Sequence, residues 1–164
     1  MSRFKTGVAY AVPVVLVVAL AVFALTTPAS TVLVVEDLDT GEHYVTDPVE
    51  TDTTVGLSYT HSVEQSRVYD EYRVEETTLV NTRMEFESYG WGLPSRVNVT
   101  TVNGTLVYDP PGPIAEFDSL SVSPGHIAGH TLTVGSRQYD LVAATDANDV
   151  RIHIEQRQLI DRFI

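Results

Sequence analysis

The chain has 164 residues, of which 22 are acidic and 10 are basic, and its formal net charge is −12. It contains no cysteine, which excludes disulfides, thiolate catalysis and Cys-ligated metal centres. The acidic excess leaves no basic patch to neutralise phosphates, so we expect neither nucleic acid nor anionic lipid headgroups as partners.

The N-terminal segment has the pattern of a membrane anchor. Residues 6–35 carry no charge, and residues 7–25 are almost wholly apolar. This run has about the ~20 residues of a membrane helix, whereas the core of a signal peptide has ~7–15 residues. Arg3 and Lys5 precede it, and basic residues favour the cytoplasmic side. We expect a signal anchor or, alternatively, a cleaved signal peptide at residues 1–30.

Residues 31–164 are then predicted to be an extracytoplasmic domain, held on the outer face of the cell membrane or secreted if the segment is cleaved. They hold all 22 acidic residues but eight basic ones, a formal charge of −14, and no lysine. This composition resembles that of proteins from salt-loving archaea, in which high salt screens the self-repulsion. We therefore predict a halophilic protein, with an ordinary acidic domain as the alternative.

Short runs rich in Val, Tyr, Thr and Leu predict an all-β domain after residue 30. Thr31–Leu38 and Glu42–Thr46 form a predicted hairpin, and Asp47-Pro48 is predicted to break the chain. The next strands are predicted at Thr54–His61, Val68–Leu79 and Arg83–Glu87. In the long strand, one face is predicted to hold Val68, Asp70, Tyr72 and Val74, and the other to hold Tyr69, Glu71, Arg73 and Glu75.

The second half of the chain continues this pattern. Asn103-Gly104, between Arg96–Val102 and Thr105–Tyr108, is a strong hairpin signal. Further strands are predicted at His130–Val134, Arg137–Ala143 and Val150–Gln156, and Gln158–Ile164 is predicted to be a short helix or a final strand. About ten strands with few or no helices predict a β-sandwich or a small open barrel.

The candidate binding residues follow the strand that ends near His61. His61, Ser62 and Glu64 bring an imidazole, a hydroxyl and a carboxylate together ahead of the strand that carries Glu71. Strand ends are where a β scaffold displays binding groups. The alternative is structural, with Ser62 making a local turn, Glu64 in a surface ion pair and His61 buried and hydrogen-bonded.

A glycine-flanked aromatic residue, Trp91, lies further along the chain. Gly90 and Gly92 permit positive φ or a close backbone approach, and Trp91 is either an exposed stacking platform or a plug in the core. The segment lacks the Gly-x-x-x-x-Gly-Lys pattern and the following helix of a phosphate-binding loop.

Three motifs together resemble a family of small exported proteins of unknown function. They are His61-Ser62-Val63-Glu64, Tyr69-Asp70-Glu71-Tyr72 and Ser88-Tyr89-Gly90-Trp91-Gly92-Leu93-Pro94. In that family a His-Ser-Val-Glu motif precedes a Glu-containing strand and a Gly-Ala-Gly-Leu-Pro-like loop. Trp91 departs from the pattern, because a small residue is usual there.

Genes of that family often lie beside TAXI-type TRAP transporters, which take up small solutes with an extracytoplasmic binding protein. The resemblance therefore implies association with solute uptake rather than a reaction. We expect an accessory or binding protein whose partners are TRAP transporter subunits or the solute-binding protein. The expected binding residues are His61, Ser62, Glu64, Glu71 and Trp91.

Two other functions stay open. A hydrolase would use His61 as base, Ser62 or a water as nucleophile, and Glu64 or Glu71 as acid. Adjacent residues on an extended chain point opposite ways, and the chain has no Gly-x-Ser-x-Gly elbow, so we expect no catalytic residue. The other function is a free-standing cell-surface module.

Metal and modification motifs are sparse. His126 and His130 are four apart, but the glycines beside them argue against a helix that would pair them on a metal. Asp146–Asp149 lacks the Gly and the closing Glu of a calcium loop. We predict no metal and no cofactor. Asn98 and Asn103 begin Asn-x-Thr sequons and are predicted N-glycosylation sites.

Overall fold

The computed structural model describes residues 28–90, 93–94 and 96–158. The predicted anchor, Trp91 and the predicted element beyond Gln158 lie outside these residues. None of the helices within the described ranges has the length and apolar character needed to span a membrane. The chain divides into two compact units, Thr31–Glu155 and a second formed by Met1–Ser30 with Gln156–Ile164. Of the second unit, the structure describes residues 28–30 and 156–158, the ends of two strands.

The described part of the chain is all-β, as the sequence predicts, and its strands form two antiparallel sheets. Twelve strands are present there: β1 (Pro28–Asp37), β2 (His43–Val49), β3 (Thr54–Thr60), β4 (Arg67–Glu75), β5 (Thr78–Phe86), β6 (Thr100–Val102), β7 (Thr105–Tyr108), β8 (Ala115–Phe117), β9 (Ser119–Val122), β10 (Thr131–Val134), β11 (Arg137–Asp140) and β12 (Val150–Gln158). One short helix, α1 (Leu141–Thr145), lies between β11 and β12.

The strand order places β3, β4 and β5 in the middle of the larger sheet. Four strands are ordered β2-β1-β12-β9, and eight form the other sheet, ordered β11-β10-β3-β4-β5-β7-β6 with β8 also paired to β5. Both β3 and β4 are therefore hydrogen-bonded on both sides, which fixes their faces.

The two sheets share one apolar core. Leu33 and Ile152 from the smaller sheet pack in one cluster with Leu57, Val74 and Leu132 from the larger sheet. Two antiparallel sheets that face a common core are the arrangement of a β-sandwich. A second, smaller cluster contains the buried residues Val68, Phe86 and Leu93.

The predicted alternation along β4 is confirmed. Its buried positions are Val68, Asp70, Tyr72 and Val74, whereas Arg67, Arg73 and Glu75 are exposed and Tyr69 and Glu71 are half-buried. We call the face of the eight-stranded sheet that carries the buried positions of β4 its inner face, and the opposite face its outer face. A charged residue, Asp70, therefore lies on the inner face.

Two predicted boundaries are wrong. The predicted long strand Val68–Leu79 is two strands, because the chain reverses at Glu76-Thr77, where Glu76 has a φ of 53°. The predicted break at Asp47-Pro48 does not occur, and β2 continues to Val49. Proline is tolerated there because β2 is an edge strand, where a missing N–H removes no ladder bond.

The C-terminal half also differs from the prediction. The predicted strand Arg137–Ala143 ends at Asp140, whose carboxylate caps α1 by accepting a hydrogen bond from the Ala143 amide at 3.1 Å. The strands β8 and β9, which follow a loop that contains Pro110, Pro111 and Pro113, are not among the predicted elements. The Asn103-Gly104 hairpin is confirmed: it joins β6 to β7, and Asn103 and Gly104 have φ angles of 50° and 90°. A two-residue hairpin turn with positive φ at both positions favours Asn-Gly.

An ion pair between a buried carboxylate and an exposed arginine connects the two sheets. Asp47 on β2 is 2 % exposed, and its carboxylate accepts hydrogen bonds from Arg137 Nε at 2.7 Å and from the Tyr139 hydroxyl at 2.8 Å. Arg137 also donates to the Pro48 carbonyl at 2.9 Å. Since Arg137 and Tyr139 belong to β11, these bonds connect the edges of the two sheets.

We predict that Asp47→Ala lowers the free energy of unfolding by about 2–3 kcal/mol, because it removes the buried charged acceptor of the hydrogen bonds from Arg137 and Tyr139. The control is Arg73→Ala, which removes an exposed ion pair with Glu75 and should change stability by at most about 1 kcal/mol. Urea denaturation at matched salt measures both. Equal effects of the two substitutions would contradict the assigned role of Asp47.

Candidate functional site

The predicted motif His61-Ser62-Val63-Glu64 forms a closed turn between β3 and β4. The His61 amide donates to the Ser66 carbonyl at 2.8 Å, and the Gln65 amide donates to the His61 carbonyl at 2.9 Å. The imidazole organises the turn, because its Nδ1 accepts from the amides of Val63 and Glu64, both at 3.3 Å. Nδ1 therefore carries no proton in this arrangement.

The segment after β5 packs against this turn. The Ser66 and Ser88 hydroxyls are 2.7 Å apart, and the Glu87 carboxylate accepts from the Arg67 amide at 3.2 Å. Gly90 is in close contact: a Cβ there would lie 2.8 Å from Glu64 Cγ and 3.3 Å from the His61 ring. Two motifs that are separate in sequence are thus adjacent in space.

A third loop reaches the same end of the sheet. The Ala128 carbonyl accepts from the Thr60 amide at 2.8 Å, so residues 125–129 lie beside the end of β3. We call the three segments, residues 61–66, 87–90 and 125–129, the loop end. Ile127 and Val63 are the most exposed large apolar side chains of the described residues, at 77 % and 69 %, and Tyr89 is 51 % exposed.

The structure brings some of the predicted binding residues together but not all. His61, Ser62 and Glu64 share the turn, and both Ser62 and Glu64 are exposed. Glu71 is elsewhere. It pairs with Gly56, four residues along β3 from Thr60 at the loop end, which is a distance of about 13 Å. Its carboxylate accepts from the Tyr69 hydroxyl at 3.4 Å on the outer face. Trp91 lies outside the described residues.

The turn geometry bears on the hydrolase alternative. A general base must present a lone pair to the hydroxyl that it activates. His61 Nδ1 instead accepts from two backbone amides, and the carboxylate of Glu71 is remote from the turn. The turn is therefore a surface loop ordered by hydrogen bonds, in which an imidazole and a carboxylate lie beside exposed apolar side chains.

Comparison with known proteins identifies the domain. Residues 55–141 match the model of the family described as Domain of unknown function (DUF1850). The chain belongs to this family. The matched span runs from β3 to the first residue of α1, so it contains all three segments of the loop end. No curated protein and no solved structure shows significant similarity to the chain.

The DUF1850 domain also contains a buried carboxylate that is not among the predicted binding residues. Asp70 is 7 % exposed, and its Oδ1 has no hydrogen-bond partner among the described residues. Burial raises the pKa of Asp70 to about 6, although a hydrogen bond from the Tyr59 hydroxyl lowers it in part. The available signal was its place on a strand face shared with valine and tyrosine.

Aromatic side chains surround this carboxylate. Burial, together with the nearby Asp70 charge, raises the pKa of Tyr59 to about 12 and also raises the pKa of Tyr72. Tyr59 stacks on His130, with ring centroids 5.3 Å apart. Burial lowers the pKa of His130. Two tyrosines therefore lie near Asp70, and a histidine stacks on one of them.

The remaining motifs take different positions. His126 is exposed, whereas His130 is half-buried on Tyr59. Within the described ranges, no group of three or more His, Asp or Glu residues has an arrangement that could hold a metal ion. Asp146 is the left-handed C-cap of α1, with a φ of 52°. Asn98 and Asn103 are exposed, and their glycosylation stays a prediction.

We predict that Gly90→Ala destabilises the domain by about 1 kcal/mol, because the new methyl group would overpack the His61 turn. Glu64→Ala in the same chain should recover at least half of this loss, since it removes the atom in closest contact. Gly112→Ala is the control, because nothing lies within 4 Å of its Cβ position. Thermal unfolding compares the variants, and equal effects at Gly90 and Gly112 would show that the two segments are not packed together.

We also predict that the Asp70 carboxyl makes stability depend on pH. The folded-state pKa of about 6 lies above the ordinary value of 3.8, so between these values the folded state holds a proton that the unfolded state releases. The free energy of unfolding then falls as pH rises from about 4 to 6, by about 3 kcal/mol in total.

Asp70→Asn should remove this dependence, so that the variant is more stable than the parent at pH 7 and similar to it at pH 3.5. Glu71→Gln, on the outer face of the same strand, is the control and should leave the dependence intact. Urea denaturation across this pH range measures it. An unchanged slope in Asp70→Asn would refute the buried-carboxyl assignment.

Proposed function

We propose that this DUF1850 protein is an extracytoplasmic accessory protein, held at the membrane by its N-terminal segment, that binds a partner protein through the loop end. The observation that supports the proposal is the exposure of Val63, Tyr89 and Ile127 on three adjoining loops. Exposed apolar side chains that cluster on a soluble domain mark interaction sites more often than isolated ones do.

Hydrogen bonds hold these loops in place. The turn at residues 61–66 is closed on itself, Ser66 contacts Ser88, and Thr60 binds the loop before β10. A preformed surface loses little conformational entropy when it binds. The loop end therefore has the property expected of a docking surface rather than of an unstructured tip.

Charge indicates the chemistry of the partner. Glu64 and Glu87 are exposed beside the apolar side chains, and the chain as a whole has a charge of −12. A complementary surface would have an apolar pocket with lysine or arginine at its rim. On the basis of the family resemblance, we propose that the partner with this complementary surface is a TRAP transporter subunit or its solute-binding protein.

A photo-crosslinking experiment in the native cells tests the proposal. A benzophenone side chain is introduced at position 63, at position 127 or, as a control, at Leu38, which is 47 % exposed in the turn after β1. We expect crosslinks to a TRAP transporter subunit or its binding protein from positions 63 and 127 but not from position 38.

Co-purification provides the second measurement. Val63→Asp should reduce recovery of the crosslinked partner by about tenfold, because it places a charge in an apolar contact. His61→Ala should also reduce recovery, since it removes the acceptor that closes the turn. If positions 63 and 127 give no more crosslinking than position 38, the protein acts as a free-standing surface module.

A further inference from the structure

The outer face of the eight-stranded sheet carries a second feature, separate from the apolar side chains of the loop end. Arg67, Tyr69, Glu85, Glu87 and Thr105 line a shallow depression that is open to solvent. The strands β4, β5 and β7 supply four of these residues, whose spacing is fixed by hydrogen-bonded ladders, and Glu87 directly follows β5. The depression therefore has charges of both signs on a rigid base.

Arg67 differs from other arginines of the sheets. Four of them form ion pairs with carboxylates: Arg73 with Glu75, Arg83 with Glu85, Arg137 with Asp47 and Arg151 with Glu36. Arg67 makes no such pair with any described residue, and its Nε donates to the neutral Ser58 hydroxyl at 3.3 Å. In a chain with 22 acidic residues, an exposed guanidinium without an ion pair is available to an external anion.

The carboxylates of the depression are arranged differently from each other. Glu85 is paired with Arg83 at 2.6 Å, whereas Glu87 contacts the Arg67 backbone amide through one oxygen. Glu87 therefore retains acceptor capacity and negative charge toward the depression. A ligand that places an anionic group at Arg67 and a cationic group at Glu87 would satisfy both sides.

Tyr69 gives the depression a fixed floor. Its ring lies against Gly56, where a Cβ would be 2.6 Å from the ring, so glycine is required for this approach. The Tyr69 hydroxyl donates to Glu71 at 3.4 Å. Packing and this bond hold the ring flat on the sheet, and little reorganisation is needed when a ligand binds.

We propose that this depression binds a small zwitterion of the α-amino-acid class, with the ligand carboxylate on Arg67 and the ligand ammonium on Glu87. A guanidinium presents parallel N–H groups that match a carboxylate. The proposal does not depend on the docking function, because Val63, Tyr89 and Ile127 are not part of the depression and, of its five residues, one (Glu87) belongs to the loop end. The exposure of the site implies weak binding, with a dissociation constant of about millimolar order.

The test is an NMR titration of the full chain in detergent micelles with three probes: L-alanine, acetate and methylammonium. L-alanine should produce saturable shifts at the amides of Arg67, Tyr69 and Thr105. Acetate and methylammonium should each bind about tenfold more weakly, because each satisfies one of the two charges. Acetate that binds as tightly as L-alanine would overturn the zwitterion assignment.

Variants on the same strands separate the site from general charge effects. Arg67→Ala should weaken L-alanine binding by about tenfold, and Glu87→Gln should weaken L-alanine while leaving acetate unchanged or tighter. Arg73→Ala, on the same face of β4, is the matched control and should bind like the parent chain. Absence of saturable shifts, or shifts that survive Arg67→Ala, would overturn the proposal, and both results are independent of the crosslinking experiment.

Discussion

The pairing register of β3 with β4 is the constraint on which the other features depend. Gly56 opposes Glu71, and Thr60 opposes Arg67. A slip of one residue would exchange the two faces of a strand, placing Tyr69 in the core and Asp70 in solvent. The same register sets which loops meet, because the chain leaves β3 at Thr60 and enters β4 at Arg67. The loop end, the buried carboxylate and the outer depression are therefore three consequences of one alignment.

The burial of Asp70 acts against that alignment, and the surrounding core must offset it. A carboxylate on the inner face loses hydration, and Tyr59 returns part of the loss through a hydrogen bond. Asp70 lies on the strand between Tyr72 in the large core cluster and Val68 in the small one. Tyr59 packs against both clusters and hydrogen-bonds Asp70. The same tyrosine therefore connects the two clusters and partly compensates the buried carboxylate between them.

Sequence patterns predicted the features that local chemistry determines. Alternation along Val68–Val74 identified the two faces of β4, and Asn103-Gly104 identified its hairpin. The turn at Glu76-Thr77 was missed because it contains no glycine, and Glu76 adopts the left-handed conformation without one. The continuation of β2 through Asp47 was missed because its partner Arg137 is 90 residues away.

In the candidate site, too, contacts within one short segment were predicted, whereas contacts between distant segments were not. The proximity of His61 and Glu64 follows from a short turn, so the motif alone was sufficient to group them. Glu71 was grouped with them because it is near in sequence, but the ladder carries it toward the middle of the sheet. The contact between Gly90 and the turn depends on β5 returning to the same end of the sheet. Such a contact follows from topology, which a single sequence does not specify.

Salt concentration should affect the two proposed binding surfaces differently. In concentrated salt the Debye length falls, to about 3 Å at 1 M. Charge pairs on the outer face then lose most of their strength, and binding of a zwitterion at Arg67 should weaken as salt rises. Contacts of Val63 and Ile127 respond in the opposite direction, because salts excluded from protein surfaces strengthen apolar association. At high salt, the apolar side chains of the loop end would therefore hold the proposed partner more effectively than charge pairs would.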